Sequence, residues 1–403
     1  MPDGSPDGDL SVVRSISTEE RRARLGRRHH LATRAPAGLV VAVAGDLVGL
    51  HGSDPVSIFL AARARTTALT PQGLEAALYD DRLLVKMLAM RRTLFVVPVG
   101  LAPMLQATTA DAIAVAERKR LAKVLVAQGI AADAEAWIER TGADLVAALT
   151  ERGEATAAQL AGAVPELGRQ IVLAEGKRYE AKVSVGTRLL IVLAAEGRVV
   201  RGRPVGSWIS TQYRWSTAGA WANRGEAMPA AEARVELVRR WLAAFGPGTE
   251  TDLKWWTGWN LGQTRAALTA AGAVAVALDD GLPGYVAGGD VDPEPPVDPW
   301  VALLPALDPT AMGWAGRHWY LGAHHSALFD TNGNVGPTIW CDGRIVGGWA
   351  HRRDGTVATR LLEDIGTEAA DAVSAEAAEV EAWMGDVRFT PRFRTPLERE
   401  LCS

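Results

Sequence analysis

From residue 37 to residue 65 the chain alternates between two apolar runs and one polar break. AGLVVAVAGDLV (37–48) and VSIFLAARAR (56–65) read as helices, and between them stands GLHGSDP (49–55). Pro36 suits the first turn of a helix from Ala37 to Val48. Asp54 before Pro55 is an N-cap followed by a first-position proline, and predicts a helix to about Arg65. Thr70-Pro71 repeats that start signal for a helix to about Tyr79. Upstream, Ser17 and Glu20 have capping-box spacing and open a basic helix that runs to about Ala32. Two strand-like runs follow, LLVKMLAM (83–90) and TLFVVP (93–98), which meet at Arg91-Arg92. Helices followed by a two-stranded ribbon are the outline of a winged helix, in which a hairpin wing follows a helix-turn-helix.

The same outline recurs. LVAALTERGEATAAQLAGAV (145–164) reads as helix, Gly turn, Thr N-cap and helix. A helix over 182–197 and a ribbon over 198–216 complete that unit. Residues 233–278 give helix, Gly-Pro-Gly turn, short helix, helix and strand. After DPEPPVDP (292–299) the pattern changes to short alternating runs split by Gly and Asp. Cys341-Asp342-Gly343-Arg344 carries a two-residue hairpin signal, and one helix is predicted over 368–384. The expected architecture is α+β: three tandem winged-helix units and a C-terminal strand-rich, barrel-like region. Residues 1–16 are expected to be a disordered lead-in, with units over 17–135, 136–227 and 228–292 and the strand-rich region over 293–403.

Composition narrows the function. In 403 residues the sequence shows no secretory leader and no uncharged apolar run of about 18 residues, so a cytoplasmic protein without a membrane span is expected. Cys341 and Cys402 have no near cysteine partner, which argues against a disulfide framework or a zinc site. The pairs His29-His30 and His324-His325 lack the further ligands a metal needs and fit a surface or DNA-facing role better. Nucleotide-binding glycine motifs are absent, so neither a metal nor a cofactor is expected. Net charge is −4, but basic residues cluster at 14–34, 82–92 and 177–214, while acids gather at 279–298 and 363–386. An acidic chain can still present a basic groove; the alternative is that these arginines solvate helix faces. Trp255, Trp256 and Trp259 have spacing that fits a core better than base stacking.

Several stretches, in this order and spacing, resemble the bacterial tandem winged-helix DNA glycosylases, the group that confers azinomycin resistance and unhooks interstrand crosslinks. They are GLHGSDPVSIFLAARAR, MLAMRRTLFVVP, GSWISTQYRW, FGPGTETDLKWWTGWNLGQTRAAL, LLPALDPTAMGW and PTIWCDGRIVGGW. The resemblance covers most of the chain from about residue 17. It implies three winged helices in a C-shape around double-stranded DNA, and excision of N7-alkylated purines without a cofactor. A monomer follows from three helix-turn-helix units in one chain, since a two-fold regulator would pair with a second copy. The sequence departs from the family at one place. Where the family's catalytic turn carries Gln-x-Gln or Gln-x-Asp, this chain carries His51 and Ser53. Either His-x-Ser is a working variant, or the protein is a tandem winged-helix DNA binder or regulator without the chemistry.

The reaction suits a polar turn at a helix start. An N7-alkylated guanine is already cationic and leaves without a strong acid. What remains is to hold a water near C1′ and to tolerate positive charge on the sugar. His51 could accept the water's proton, because imidazole titrates near neutrality, and Ser53 could fix its other side. Gly52 lets backbone approach DNA closely. Asp54 could offset sugar charge, although capping is its simpler role. Phosphate contacts are expected from Arg91 and Arg92 at the first hairpin tip, from Arg201, Arg203 and Arg214 in the second ribbon, and from Lys182 and Arg188 on the helix before it.

Overall fold

The computed structural model describes residues 12–178, 180–221 and 225–403. Local punctuation sets the first unit. A 3-10 turn at Ala37–Leu39 leads into helix Val40–Asp46. Asp54 caps helix Pro55–Arg63 by accepting the Val56 N–H at 3.3 Å. Thr70 caps Pro71–Glu75 through the Gly73 N–H at 3.1 Å, and a π-turn at Ala76–Asp80 extends that helix. Strands Leu84–Leu88 and Leu94–Pro98 pair antiparallel. The short strand Leu50–His51 adds to the other edge of Leu94–Pro98, with His51 opposite Phe95.

The second unit has its own core. Gly153 (φ 73°) ends helix Ala134–Arg152, and a Thr156–Gln159 capping box opens helix Ala157–Ala163. Strand Glu154–Thr156 joins the ribbon of Val199–Pro204 and Tyr213–Thr217. Helix Asp111–Ala127 lies within the stretch expected to belong to the first unit, yet its Leu121 and Leu125 pack into this second core. The expected helix over 182–197 starts later. Ser184 caps Val185–Ala195, and the preceding Ala181–Ser184 is a strand paired with Gln170–Leu173. Lys182 therefore stands on a hairpin, not on the helix.

The third unit runs Ala230–Phe245, Glu250–Thr257, Leu261–Ala270, then strands Val274–Leu278 and Pro283–Val286. Capping boxes at Thr249–Asp252 and Asn260–Gln263 open its two shorter helices. Ser15–Ile16 pairs parallel with Val274–Leu278 and buries Ile16 completely. Ser15 and Ile16, expected in the lead-in, are thus built into this sheet; residues 1–11 of that lead-in lie outside the described residues.

The C-terminal region is not a barrel. Val301–Leu304, Thr338–Cys341, Arg344–His351 and Val357–Leu361 form an open antiparallel meander. Helix Thr367–Met384 packs against both edge strands, so a helix occupies the place where the sheet would have to close. The Asp-Gly turn has the predicted form, with φ of 48° at Asp342 and 81° at Gly343. Apolar side chains of the first unit, the third unit and this sheet merge into one continuous core.

In the N-terminal basic cluster Arg24, Arg27, Arg28 and Arg34 pair with the acidic segments. Arg24, 1% exposed, bridges Glu20 at 3.0 Å and Asp290 at 2.9 Å. Arg28 meets Asp290 at 2.8 Å, and Arg27 binds Glu294. Ser17 caps its helix through the Glu20 N–H at 3.2 Å, but the Glu20 carboxylate serves Arg14 and Arg24 instead of closing the capping box. Arg34 and Arg63 both reach Glu376. The N-terminal basic cluster therefore ties the first helix to the acidic segment around Asp290 and Glu294, and Arg34 beyond it to Glu376, and these arginines do not form an open groove. The helical stretch Val99–Ala127 is long and apolar enough to cross a membrane (mean hydropathy 1.3), yet half of it is buried inside the fold.

Candidate active site

The break between the two apolar helices folds into a tight, mostly buried turn. The Gly52 N–H donates to the Leu94 carbonyl at 2.6 Å, and a Cβ at Gly52 would meet that oxygen at 3.2 Å. His51 packs against Phe95 with ring centroids 5.3 Å apart, and its Nδ1 accepts the Ser53 N–H at 3.4 Å. That long contact suits an unprotonated Nδ1 and leaves the ring proton on Nε2. His51 is 4% exposed. Burial first, and the charge of Arg91 second, push its imidazole down to about 3. That places the imidazole well below the near-neutral titration expected from the sequence. A desolvated ring beside a guanidinium stays neutral.

Asp54 shares the turn. Its Oδ1 caps Val56, and its Oδ2 accepts the Arg392 main-chain N–H at 2.9 Å. Burial raises its pKa, and the N–H bonds from Arg392 and Val56 act against that rise.

A cleft of about 990 Å³ opens in front of the turn, lined by Ser53, Asp54, Arg201, Tyr213, Arg388 and Arg392 among others. Asp54 supplies the one carboxylate among the lining residues. Thr156 and Thr187, from the second unit's helix starts, border it too. Arg201 lies over Trp215 at 5.3 Å and near Tyr213 at 5.7 Å. Burial lowers its pKa, and the neighbouring Arg392 charge acts in the same direction. Behind this wall Lys86 is buried, donating from Nζ to the Tyr79 hydroxyl at 2.7 Å. Burial, then Arg201, bring it down to about 7. The loop of the second ribbon is pinned by Trp208, which packs at a tilt on Phe59 at 4.4 Å and meets Trp383 edge-on at 5.9 Å.

Of the residues singled out from the sequence, Ser53 and Arg201 meet in this cleft. His51 sits directly behind it. Others are engaged elsewhere. Arg91 lies over Trp255 at 3.8 Å, and burial followed by the charge of Arg317 lowers it to about 10. Arg92 and Arg188 both bind Glu117, which also takes Arg120. Arg203 pairs with Glu75 at 3.1 Å and Asp80 at 2.7 Å. Lys182 and Arg214 are exposed. Arg388 and Arg392 were missed. They stand in RFTPRF, which reads as a strand and gives no local sign of proximity to residue 53.

His29 is not at the surface as expected. It is fully buried, with Nδ1 2.8 Å from the Thr310 hydroxyl and Nε2 3.1 Å from the Ala244 carbonyl. Trp256 and Trp259 are core residues, while Trp255 is half-buried beneath Arg91. Among the described residues no group of three or more His, Cys, Asp or Glu side chains is placed to hold a metal ion. Cys341 and Cys402 are free thiols.

The fold and the site invite comparison with known proteins. No curated protein matches the chain. Among solved structures, Streptomyces sahachiroi DNA glycosylase AlkZ is similar in fold, with a TM-score of 0.68 at 20% identity over 92% of this chain and 97% of that one. The family model described as DNA glycosylase AlkZ-like matches residues 44–383, a span that holds the His51–Asp54 turn, the second ribbon and the C-terminal sheet. The chain therefore belongs to the AlkZ-like family and is a DNA N-glycosylase.

Proposed function

We propose that this glycosylase acts as a cofactor-independent monomer on double-stranded DNA, grips it with three winged-helix units, and hydrolyses the N-glycosidic bond of N7-alkylated or bulky purines in the cleft. Repair of alkylation damage, crosslinks included, or self-resistance to a DNA-alkylating natural product is the setting this chemistry fits. The observation that carries the reading is the composition of the cleft. One buried carboxylate and one serine face three arginines, none of which pairs with a carboxylate among the described residues. Guanidiniums that no carboxylate neutralises suit phosphates, and a desolvated carboxylate suits a developing sugar cation.

In this mechanism the C1′–N9 bond breaks first, and its electron pair neutralises the cationic base, so no acid is needed. The sugar is left as an oxocarbenium ion. Asp54 stabilises that charge across the cleft and takes the proton released when water adds to C1′. Ser53 Oγ holds the water. His51 remains neutral, fixes the turn through the Ser53 N–H, and keeps Nε2–H as a donor. The roles of His51 and Asp54 are thereby exchanged relative to the expectation from sequence, because burial leaves the imidazole too weak a base while the carboxylate reaches the cleft. Incubating the protein with duplex DNA containing N7-alkylguanine should produce abasic sites. Tight binding with no abasic product would favour a non-catalytic DNA binder.

A further inference from the structure

The segment Arg388–Arg392 lies beyond the span matched by the family model, yet it borders the catalytic turn directly. Arg388, Phe389, Thr390 and Arg392 all line the cleft. Arg392 touches the turn twice. Its main-chain N–H donates to Asp54 Oδ2 at 2.9 Å, and its guanidinium donates to the Ser53 carbonyl at 3.4 Å. The side chain is exposed and lies 5.8 Å from the Phe393 ring. No carboxylate pairs with it among the described residues, whereas Arg394, two positions on, is closed by Glu398 at 2.6 Å. The segment itself is anchored from behind. Phe389 stacks on His351 at 5.0 Å, and Arg388 donates to the Asp354 carbonyl at 3.2 Å.

We propose that this C-terminal segment is part of the active site, and that Arg392 contacts the DNA phosphate flanking the damaged nucleotide. This rests on the reading that damaged duplex occupies the cleft. The long guanidinium bond to the Ser53 carbonyl is weak at 3.4 Å. A phosphate, charged and able to accept two parallel N–H bonds, is the better partner. Because the same residue grips Asp54 through its main chain, one side chain sets the distance between the carboxylate and the sugar–phosphate backbone. Arg201, on the opposite wall, has no such link to the turn and contributes attraction alone.

The test compares Arg392→Gln, Arg392→Lys and Arg201→Gln with the full chain. Arg353→Gln is the control, exposed and outside the cleft. Binding to an N7-alkylguanine duplex is titrated against salt, and single-turnover excision is read at saturating enzyme. Arg392→Gln should reduce the salt slope by about one phosphate's worth and lower the saturated rate about ten-fold, with an unchanged melting midpoint. Arg392→Lys should restore the slope. Arg201→Gln should weaken binding with little change in saturated rate. An Arg392→Gln protein with wild-type slope and rate, beside a weakened Arg201→Gln, would overturn the proposal and leave the cleft reading intact. A lowered melting midpoint accounting for the loss would overturn it too. Unchanged binding in both variants would remove the cleft reading itself.

Discussion

Asp54 Oδ2 accepts the main-chain N–H of Arg392 at 2.9 Å, although 338 residues separate the two in sequence. The other oxygen caps the helix that begins at Pro55. One carboxylate thus fastens the cleft turn to its own helix and to the far end of the chain. Asp54→Ala should lose the cap and leave the Arg392 N–H without its acceptor, a destabilisation of about 1–3 kcal/mol. Asp54→Asn keeps one acceptor oxygen but sets its NH2 against the other N–H, so it should cost less than Asp54→Ala without being neutral. Thermal or denaturant melts of the two variants decide this; equal losses would show that the carboxylate shape does no capping.

The two titratable groups of the turn predict a pH profile. Burial raises the pKa of Asp54, and the mechanism uses its ionised form. Single-turnover excision should therefore fall as pH falls, along an acid limb displaced upward from the ordinary carboxylate range. His51, held down at about 3 by burial and by Arg91, contributes no limb between about pH 5 and 8. Asp54→Asn should abolish the acid limb, and His51→Gln should retain it. A histidine-like inflection that disappears in His51→Gln would mean that the ring titrates after all.

Elements with local signals were legible in the sequence. Asp54-Pro55, Thr70-Pro71 and Asp342-Gly343 each carry their own instruction within a few residues, and the helix starts and the hairpin stand where those residues put them. Position along the chain could not reveal burial or distant partners. Arg92 and Arg188 look like free cations until Glu117, itself 3% exposed, gathers them. Arg24 looks like a surface charge until Asp290 arrives from 266 residues away. Lys182 was assigned to a helix because the apolar run after Ser184 hid the short hairpin before it. At the site, polarity and spacing singled out a turn whose Gly52, Ser53 and Asp54 line the cleft. Which side chain faces the cleft depended on the strand pairing of His51 with Phe95, a tertiary fact.

Lys86 makes a separate prediction about stability. Its folded pKa is about 7 against an ordinary 10.5, lowered by burial and then by Arg201. As pH falls from 10.5 toward 7 the unfolded chain takes up a proton that the folded chain refuses, so this group's contribution is full above that window and is lost as pH falls through it. The slope approaches about 1.4 kcal/mol per pH unit inside the window. Lys86→Met should flatten the curve of unfolding free energy against pH there, whatever it costs through the Tyr79 hydroxyl. An unchanged slope would mean that Lys86 is solvated and charged in the folded protein.

The most direct test of the account is the single-turnover rate of excision from an N7-alkylguanine duplex by wild type and by Asp54→Asn, at saturating enzyme and with melts run on the same samples. Wild type should yield abasic product, and Asp54→Asn should lose on the order of a hundred-fold in rate, with duplex affinity nearly intact and the melting midpoint, though lowered, still above the assay temperature. An Asp54→Asn protein that excises at the wild-type rate would contradict the account.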